Sequence, residues 1–201
     1  MFTGIISGVG RISEVRPAGD GADDGVHVTI DANNFDLSGI GLGDSIAVQG
    51  ACMTVVSIED NSFRIDVSRE SLDKTTGLDQ PGEVNLERSL KLGDSLDGHL
   101  VSGHVDGMGQ VTRFEAVGES HELRIQVPKA LSRYLAYKGS VTVNGVSLTV
   151  NSVEDNADGS EISINIIPHT LQVTTLKHLK GETKVNLEID MIARYVERML
   201  K

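Results

Sequence analysis

Cysteine is almost missing from this chain. Cys52 is the single one in 201 residues, so no internal disulfide framework exists and a reducing, cytoplasmic setting is expected. Tryptophan is absent and aromatics make up only 3% of the residues, which removes the stacking platforms that hold single-stranded nucleic acid. Basic charge is also short: 18 Lys and Arg stand against 29 Asp and Glu, for a net charge of −11. A surface of that sign cannot neutralise phosphates, so nucleic acid is not expected as a partner. No apolar run approaches the roughly 20 residues of a membrane span, and no membrane contact is expected. The opening MFTGIISGVG lacks the basic-then-apolar layout of a signal peptide. No GxSxG, HExxH or paired-cysteine pattern occurs, which argues against a hydrolase elbow and against a metal site. His99 and His104 have no cysteine near them, and no metal is assigned to them. The Gly8-Val9-Gly10 cluster runs into strand-like alternation rather than a helix start, so it reads as a turn and not as a dinucleotide loop.

What the chain does have is the same text twice. SIAVQGACMTV (Ser45 to Val55) returns as SVTVNGVSLTV (Ser140 to Val150), 95 residues later. TGIISGVG (Thr3 to Gly10) lines up with SGHVDGMG (Ser102 to Gly109), and SLDKTTGL (Ser71 to Leu78) with TLQVTTL (Thr170 to Leu176), both at an offset of 99. VNLE at Val84 to Glu87 recurs verbatim at Val185 to Glu188. Four matches in one order imply a duplicated domain, because the period is too long for a solenoid. The boundaries implied are 1–97 for the first copy, 98–189 for the second and 190–201 for a tail, with Lys91 to Asp97 as the bridge.

Each copy reads as strands. HVTIDA, SFRIDV, ELRIQV and the repeated phrase alternate polar and apolar residues at period two and are rich in β-branched side chains. Gly19-Asp20-Gly21, Glu59-Asp60-Asn61 and Asp155 to Gly159 supply turns. Short strands with turns about every ten residues predict an all-β fold of two small closed barrels. A short helix is predicted over Ala130 to Tyr137, after Pro128. The tail differs: Ile192, Tyr195, Val196 and Met199 recur at helical spacing behind Asp190, a fair N-cap. A lone helix of about 12 residues is marginal in water. It must pack on its own barrel or on the same helix of other subunits, and the second reading is favoured.

Period two also places Cys52 and Thr54 on one strand face, and Ser147 and Thr149 on the matching face of the second copy. Small hydrogen-bonding groups kept in both copies fit a strand-edge site for the amide-like edge of a pteridine or pyrimidine. The copies then diverge: His104 aligns with Ile5, Ser147 with Cys52, Lys138 with Gly43 and Asp190 with Ser89. Two similar pockets with unequal side chains suit a reaction in which two similar molecules play different roles.

MFTGII, GDSIAVxGxCxTV, GHLVSGHVDG, KGSVTVNGVSLTV and IPHTLxxTTL, in this order, resemble the alpha-type riboflavin synthase family over essentially the whole chain. The resemblance implies two tandem six-stranded Greek-key β-barrels and a C-terminal α-helix that drives a homotrimer. It implies dismutation of two 6,7-dimethyl-8-ribityllumazine molecules without a cofactor, at sites between the N-terminal barrel of one subunit and the C-terminal barrel of the next. Association with a lumazine synthase capsid, as in some relatives, is a further implied partner.

Carried over by position, the residues implied for chemistry are Ser45, Cys52, His104 and Asp190. Phe2 and Thr3 close the site. Substrate contacts are implied in the first copy for Gly4, Ile5 and Ile6, for Ala51, Met53 and Thr54, and for Asp66, Val67, Ser68, Arg69, Glu70 and Ser71. In the second copy they are implied for Gly103 and Val105, for Lys138, for Ser147, Leu148 and Thr149, and for Asn165, Ile166, Ile167, Pro168, His169 and Thr170. Gln49 stands where the family pattern has Asn, Ala51 and Met53 flank the cysteine in place of a bulkier residue and Leu, and His169 stands where several relatives have Glu. The competing reading is a lumazine- or flavin-binding paralogue that holds one ligand without turnover. Retention of Ser45, Cys52, His104, Ser147 and Asp190 together favours the enzyme.

Overall fold

The computed structural model describes residues 1–19, 21 and 23–200. Asp20 of the first expected turn and Lys201 at the end of the tail lie outside the described residues. The first repeat forms β1 (Gly8–Pro17), β2 (Val26–Asp31), β3 (Ser45–Val48), β4 (Ala51–Glu59), β5 (Ser62–Val67), α1 (Arg69–Lys74) and β6 (Gly82–Arg88). The second forms β7 (Gly107–Val117), β8 (Ser120–Pro128), α2 (Lys129–Ser132), β9 (Ser140–Val143), β10 (Val146–Asn156), β11 (Gly159–Ile166), α3 (Pro168–Val173) and β12 (Lys184–Ile189), and α4 (Met191–Met199) follows.

Each set of six strands closes into an antiparallel barrel, the first in the order β1-β2-β5-β4-β3-β6 and the second in the same order shifted by six strands. The hand-over from β2 to β3 without direct pairing is the Greek-key crossing. Closure leaves neither barrel with an unpaired sheet edge among the described residues. Bulges fall at equivalent places, between Ile12 and Glu14 and between Val111 and Arg113, and again between Val55 and Ser57 and between Val150 and Ser152. They bend the strands enough to close so small a barrel. Inward residues at period two fill the interiors: Ile12, Val28, Ile30, Phe63, Ile65 and Leu86 in one, Leu123, Ile125, Ile162, Ile164, Val185 and Leu187 in the other.

The predicted helix over Ala130 to Tyr137 is shorter, ending at Ser132. Beyond it the backbone tightens, with Tyr134 N donating to Leu131 O and Leu135 N to Ser132 O, three residues back in each case. Lys138, at φ 62°, then turns the chain into β9.

The barrels dock through backbone and amide groups. Asn85 Nδ2 donates to Asn144 O and Asn186 Nδ2 to Gln49 O, both at 2.9 Å. Gln49 does the work of its partner Asn144: its Oε1 accepts from Asn85 N, as Asn144 Oδ1 accepts from Asn186 N. At the centre Gly50 and Gly145 meet so closely that a Cβ on Gly50 would lie 2.6 Å from Gly145 N. β6 and β12 are therefore buried on both faces, one against their own core and one against the other barrel.

Candidate functional site

The two repeats exchange their leading segments. Phe2 and Val101 form a two-way bridge, N to O at 2.8 and 3.1 Å. Beyond it, Gly4 O accepts from Ser147 N at 2.8 Å, and Gly103 O accepts from Cys52 N at 2.7 Å. The loop that opens copy one thus lies on the β10 strand of copy two, and the loop that opens copy two lies on β4 of copy one. Both glycines are left-handed, at φ 78° and 77°. A Cβ on Gly4 would sit 2.7 Å from Ser147 Cβ, and one on Gly103 would sit 2.7 Å from Cys52 Cβ.

Against Cys52 this crossing builds a cleft of about 250 Å³ lined by Ala51, Cys52, Met53, Glu70, Ser71, Lys74, Thr75, Gly103, His104 and Val105. Cys52 is half-buried and His104 exposed at the mouth. Behind the cysteine the Phe2 ring is fully buried, packed with Ala47 and Val101. Ser68 caps α1, accepting from Ser71 N, and Thr75 Oγ1 closes its far end by donating to Ser71 O at 2.7 Å.

Copy two repeats the frame with other side chains. Ser147 replaces Cys52, His169 replaces Glu70, Val173 replaces Lys74 and Ile5 replaces His104. Thr174 Oγ1 donates to Thr170 O at 2.7 Å, as its counterpart does. Ser147 Oγ and His99 Nδ1 are joined at 2.7 Å. His99 is buried, and its Nε2 has no hydrogen-bond partner among the described residues. Burial holds the imidazole below its ordinary value near 6.5, with Asp190 pulling the other way. A histidine that is neutral when folded binds fewer protons than the unfolded chain. Its contribution is present above about pH 6.5 and is lost as pH falls through the lowered folded value. Melting curves between about pH 7.5 and 5.5 are expected to fall less steeply for His99→Gln than for the parent chain; equal slopes would remove His99 as the cause.

The residues expected for chemistry divide between the Cys52 cleft and the matching Ser147 frame. Cys52 and His104 share the first. Asp190 belongs with His99 and Ser147, and its carboxylate also caps α4 by accepting from Ile192 N at 2.9 Å. Ser45 opens β3, paired in register with Thr54 two positions past Cys52. Lys138 is exposed, with Nζ donating to Asn151 Oδ1 at 2.9 Å. Asp66 is exposed and meets His27 Nδ1 at 2.6 Å. Thr54, Thr149, Arg69, Asn165, Ile167, Pro168 and His169 face solvent. Val67, Met53, Leu148 and Ile166 are buried among the barrel-core residues, so their backbone is what a ligand can reach. Clefts of about 550 and 660 Å³ lie elsewhere, and neither contains Cys52 or Ser147.

Sequence reasoning passed over Glu87 and Glu188. Glu87 Oε1 accepts from Thr3 N at 2.6 Å and Thr3 Oγ1 at 2.8 Å, and Oε2 accepts from Gly4 N at 3.0 Å. Glu188 does the same for Ser102 N at 2.7 Å, Ser102 Oγ at 2.6 Å and Gly103 N at 2.9 Å. Burial pushes both carboxyls up, against the pull of those hydrogen bonds. The signal was the verbatim repeat VNLE: a glutamate kept in two strands whose Val and Leu turn inward, while the Asn, on the same face as the Glu, reaches the other barrel.

Comparison with known proteins matches residues 3–89 and 102–190 each to the Lumazine binding domain. The chain is 40% identical to the riboflavin synthase of Photobacterium leiognathi, over 100% of this chain and 89% of that protein. It is 40% identical to that of Brucella abortus strain 2308, covering 99% and 98%. It is 41% identical to that of Mycobacterium tuberculosis strain H37Rv, covering 100% and 98%. Among solved structures, LumP complexed with riboflavin superposes with a TM-score of 0.81 at 26% identity, over 94% of this chain and 99% of that one.

Proposed function

We propose that this chain, which belongs to the Lumazine binding domain family and within it to the riboflavin synthases, seats one substrate molecule against Cys52 and a second against Ser147 of a neighbouring subunit. The reaction is the dismutation of two 6,7-dimethyl-8-ribityllumazine molecules: one gives a four-carbon unit to the other, yielding riboflavin and 5-amino-6-(ribitylamino)uracil. The observation that carries this reading is one frame built twice with unequal chemistry, Cys52 with His104 and Lys74 in one copy, Ser147 with His99 in the other.

A cleft of about 250 Å³ falls below the roughly 300–1,000 Å³ that enclose a drug-sized ligand. A second wall from another subunit completes it. The means of assembly is α4. Its polar side is tied to its own barrel, Arg194 Nη2 donating to Asp106 Oδ1 at 2.8 Å and Arg133 Nη1 to Glu197 Oε1 at 2.6 Å. Its apolar side, Ile192, Tyr195, Val196 and Met199, is left exposed. A homotrimer formed through these helices brings the N-terminal barrel of one subunit against the C-terminal barrel of the next. The division into 1–97, 98–189 and a tail at 190–201 follows this assignment of roles, and the lone free thiol suits a cytoplasmic enzyme.

In the shared site His104 and a nearby hydroxyl move the proton of the acidic 7-methyl group as general acid and base. Ser45 or Cys52, or a water they orient, adds to the electrophilic ring carbon of the acceptor molecule. Holding two flat rings face to face supplies much of the remaining acceleration. The LumP structure with riboflavin supports a flavin-sized ligand in this fold.

Incubating the purified protein with 6,7-dimethyl-8-ribityllumazine is expected to give riboflavin absorbance over many equivalents. Cys52→Ala and His104→Ala are expected to lower kcat by about 10²-fold, the usual share of a general acid–base or nucleophilic group. Stoichiometric binding with no riboflavin would instead make the chain a binding paralogue.

A further inference from the structure

We propose that Glu188 and Glu87 are positioning residues that act crosswise, each barrel's buried carboxylate fixing the loop that completes the other barrel's pocket. The proposal rests on the two-pocket reading above and names what holds each pocket in shape.

From Glu188 on β12, Oε2 accepts from Gly103 N at 2.9 Å and Gly103 O accepts from Cys52 N at 2.7 Å. Two hydrogen bonds therefore run from the C-terminal barrel to the strand that carries Cys52, and His104 is the next residue along. From Glu87 on β6, Oε2 accepts from Gly4 N at 3.0 Å and Gly4 O accepts from Ser147 N at 2.8 Å. Ile5, the counterpart of His104, follows.

Glu87 and Glu188 are almost fully enclosed, at 4% and 2% exposure. Burying a carboxylate is unfavourable unless each oxygen meets donors. Here both oxygens of each group do, and every partner named is an N–H or O–H. A carboxamide has the same shape but turns an NH₂ toward one of those donors, leaving it unpaired in a buried place. Glutamine at either position therefore releases one loop and leaves the barrel cores alone. A merely structural role for these residues would loosen both pockets together. The crosswise role loosens one at a time.

The single cysteine gives a readout confined to one pocket. Alkylation of Cys52 by iodoacetamide is measured in the full chain, with and without riboflavin as the protecting ligand, beside melting temperature and turnover. Glu188→Gln is expected to raise the alkylation rate about tenfold and to abolish protection by riboflavin at Cys52. Glu87→Gln is expected to change alkylation and protection far less than Glu188→Gln does, while lowering turnover about tenfold. Ser102→Ala removes only the hydroxyl bond to Glu188 and is expected to raise alkylation a few-fold; it decides the matter if Glu188→Gln does not fold. Equal changes at Cys52 in both glutamine variants, or no change in Glu188→Gln and Ser102→Ala, would overturn the proposal. Failure of the synthase reading shows separately, as a parent chain that makes no riboflavin.

Discussion

Gly103→Ala is expected to lower turnover by about a hundredfold or more, the scale of loss that follows a displacement of about 1 Å in a positioned group. Gly103 sits at φ 77°, where an L-residue is disfavoured by about 1–2 kcal/mol. Its added methyl would lie 2.7 Å from Cys52 Cβ, 2.9 Å from Phe2 Cε2 and 3.0 Å from Cys52 N. None of these can yield freely, because one is backbone and another belongs to a ring with 0% exposure. Crowding of this kind adds about 1–3 kcal/mol. The loop must lift, and with it go the 2.7 Å bond to Cys52 N and the 2.9 Å bond to Glu188. Gly118→Ala is the control. It has φ 61° with nothing within 4 Å of the new Cβ, so it is expected to lower stability by about 1 kcal/mol with kcat unchanged. Similar kinetics for the two variants would show that the crossing at Cys52 does not shape the site.

A chain carrying Tyr195→Asp and Val196→Asp is expected to sediment as a monomer, to keep its two folded barrels, and to lose turnover by about a hundredfold or more as its two reactants are no longer held together. Tyr195 and Val196 are 65% and 45% exposed in the single chain and belong to neither barrel core, so the substitutions leave both cores intact. The cap at Asp190 and the ion pairs of Arg194 with Asp106 and Arg133 with Glu197 remain. What is removed is an apolar face that a short helix cannot leave in water at no penalty. Sedimentation velocity alongside the riboflavin assay tests both halves. A monomeric variant with full turnover would mean that one chain carries a complete site.

Much was legible from residue order alone. A repeat offset of 95 to 101 residues declared two copies, and period-two alternation with frequent turns declared barrels. The same alternation set Cys52 apart from the buried Met53 and Val55, and Ser147 apart from Leu148 and Val150. These are local rules: successive strand residues point to opposite faces whatever lies nearby. The cap at Asp190 and the apolar stripe of α4 are local in the same sense, fixed within one turn of helix.

Only the tertiary structure decided which copy serves which pocket. A leading segment laid on its own barrel and one laid on the other barrel have the same sequence, because strand pairing is set by backbone hydrogen bonds that carry no side-chain signature. Phe2 on Val101 and Gly103 on Cys52 therefore could not be read beforehand. Glu87 and Glu188 were hidden for a related reason. Alternation marks them as facing out from their own barrel, and outward ordinarily means solvent; the leading segment of the same repeat, pinned to the other barrel, covers that face and turns both into buried acceptors. His99 became a partner of Ser147 across 48 residues only when β10 and the segment following the bridge met. The sequence by itself determined the two barrels and the residues each presents. Packing one barrel on the other determined what those residues touch, because contacts between surfaces depend on both surfaces at once.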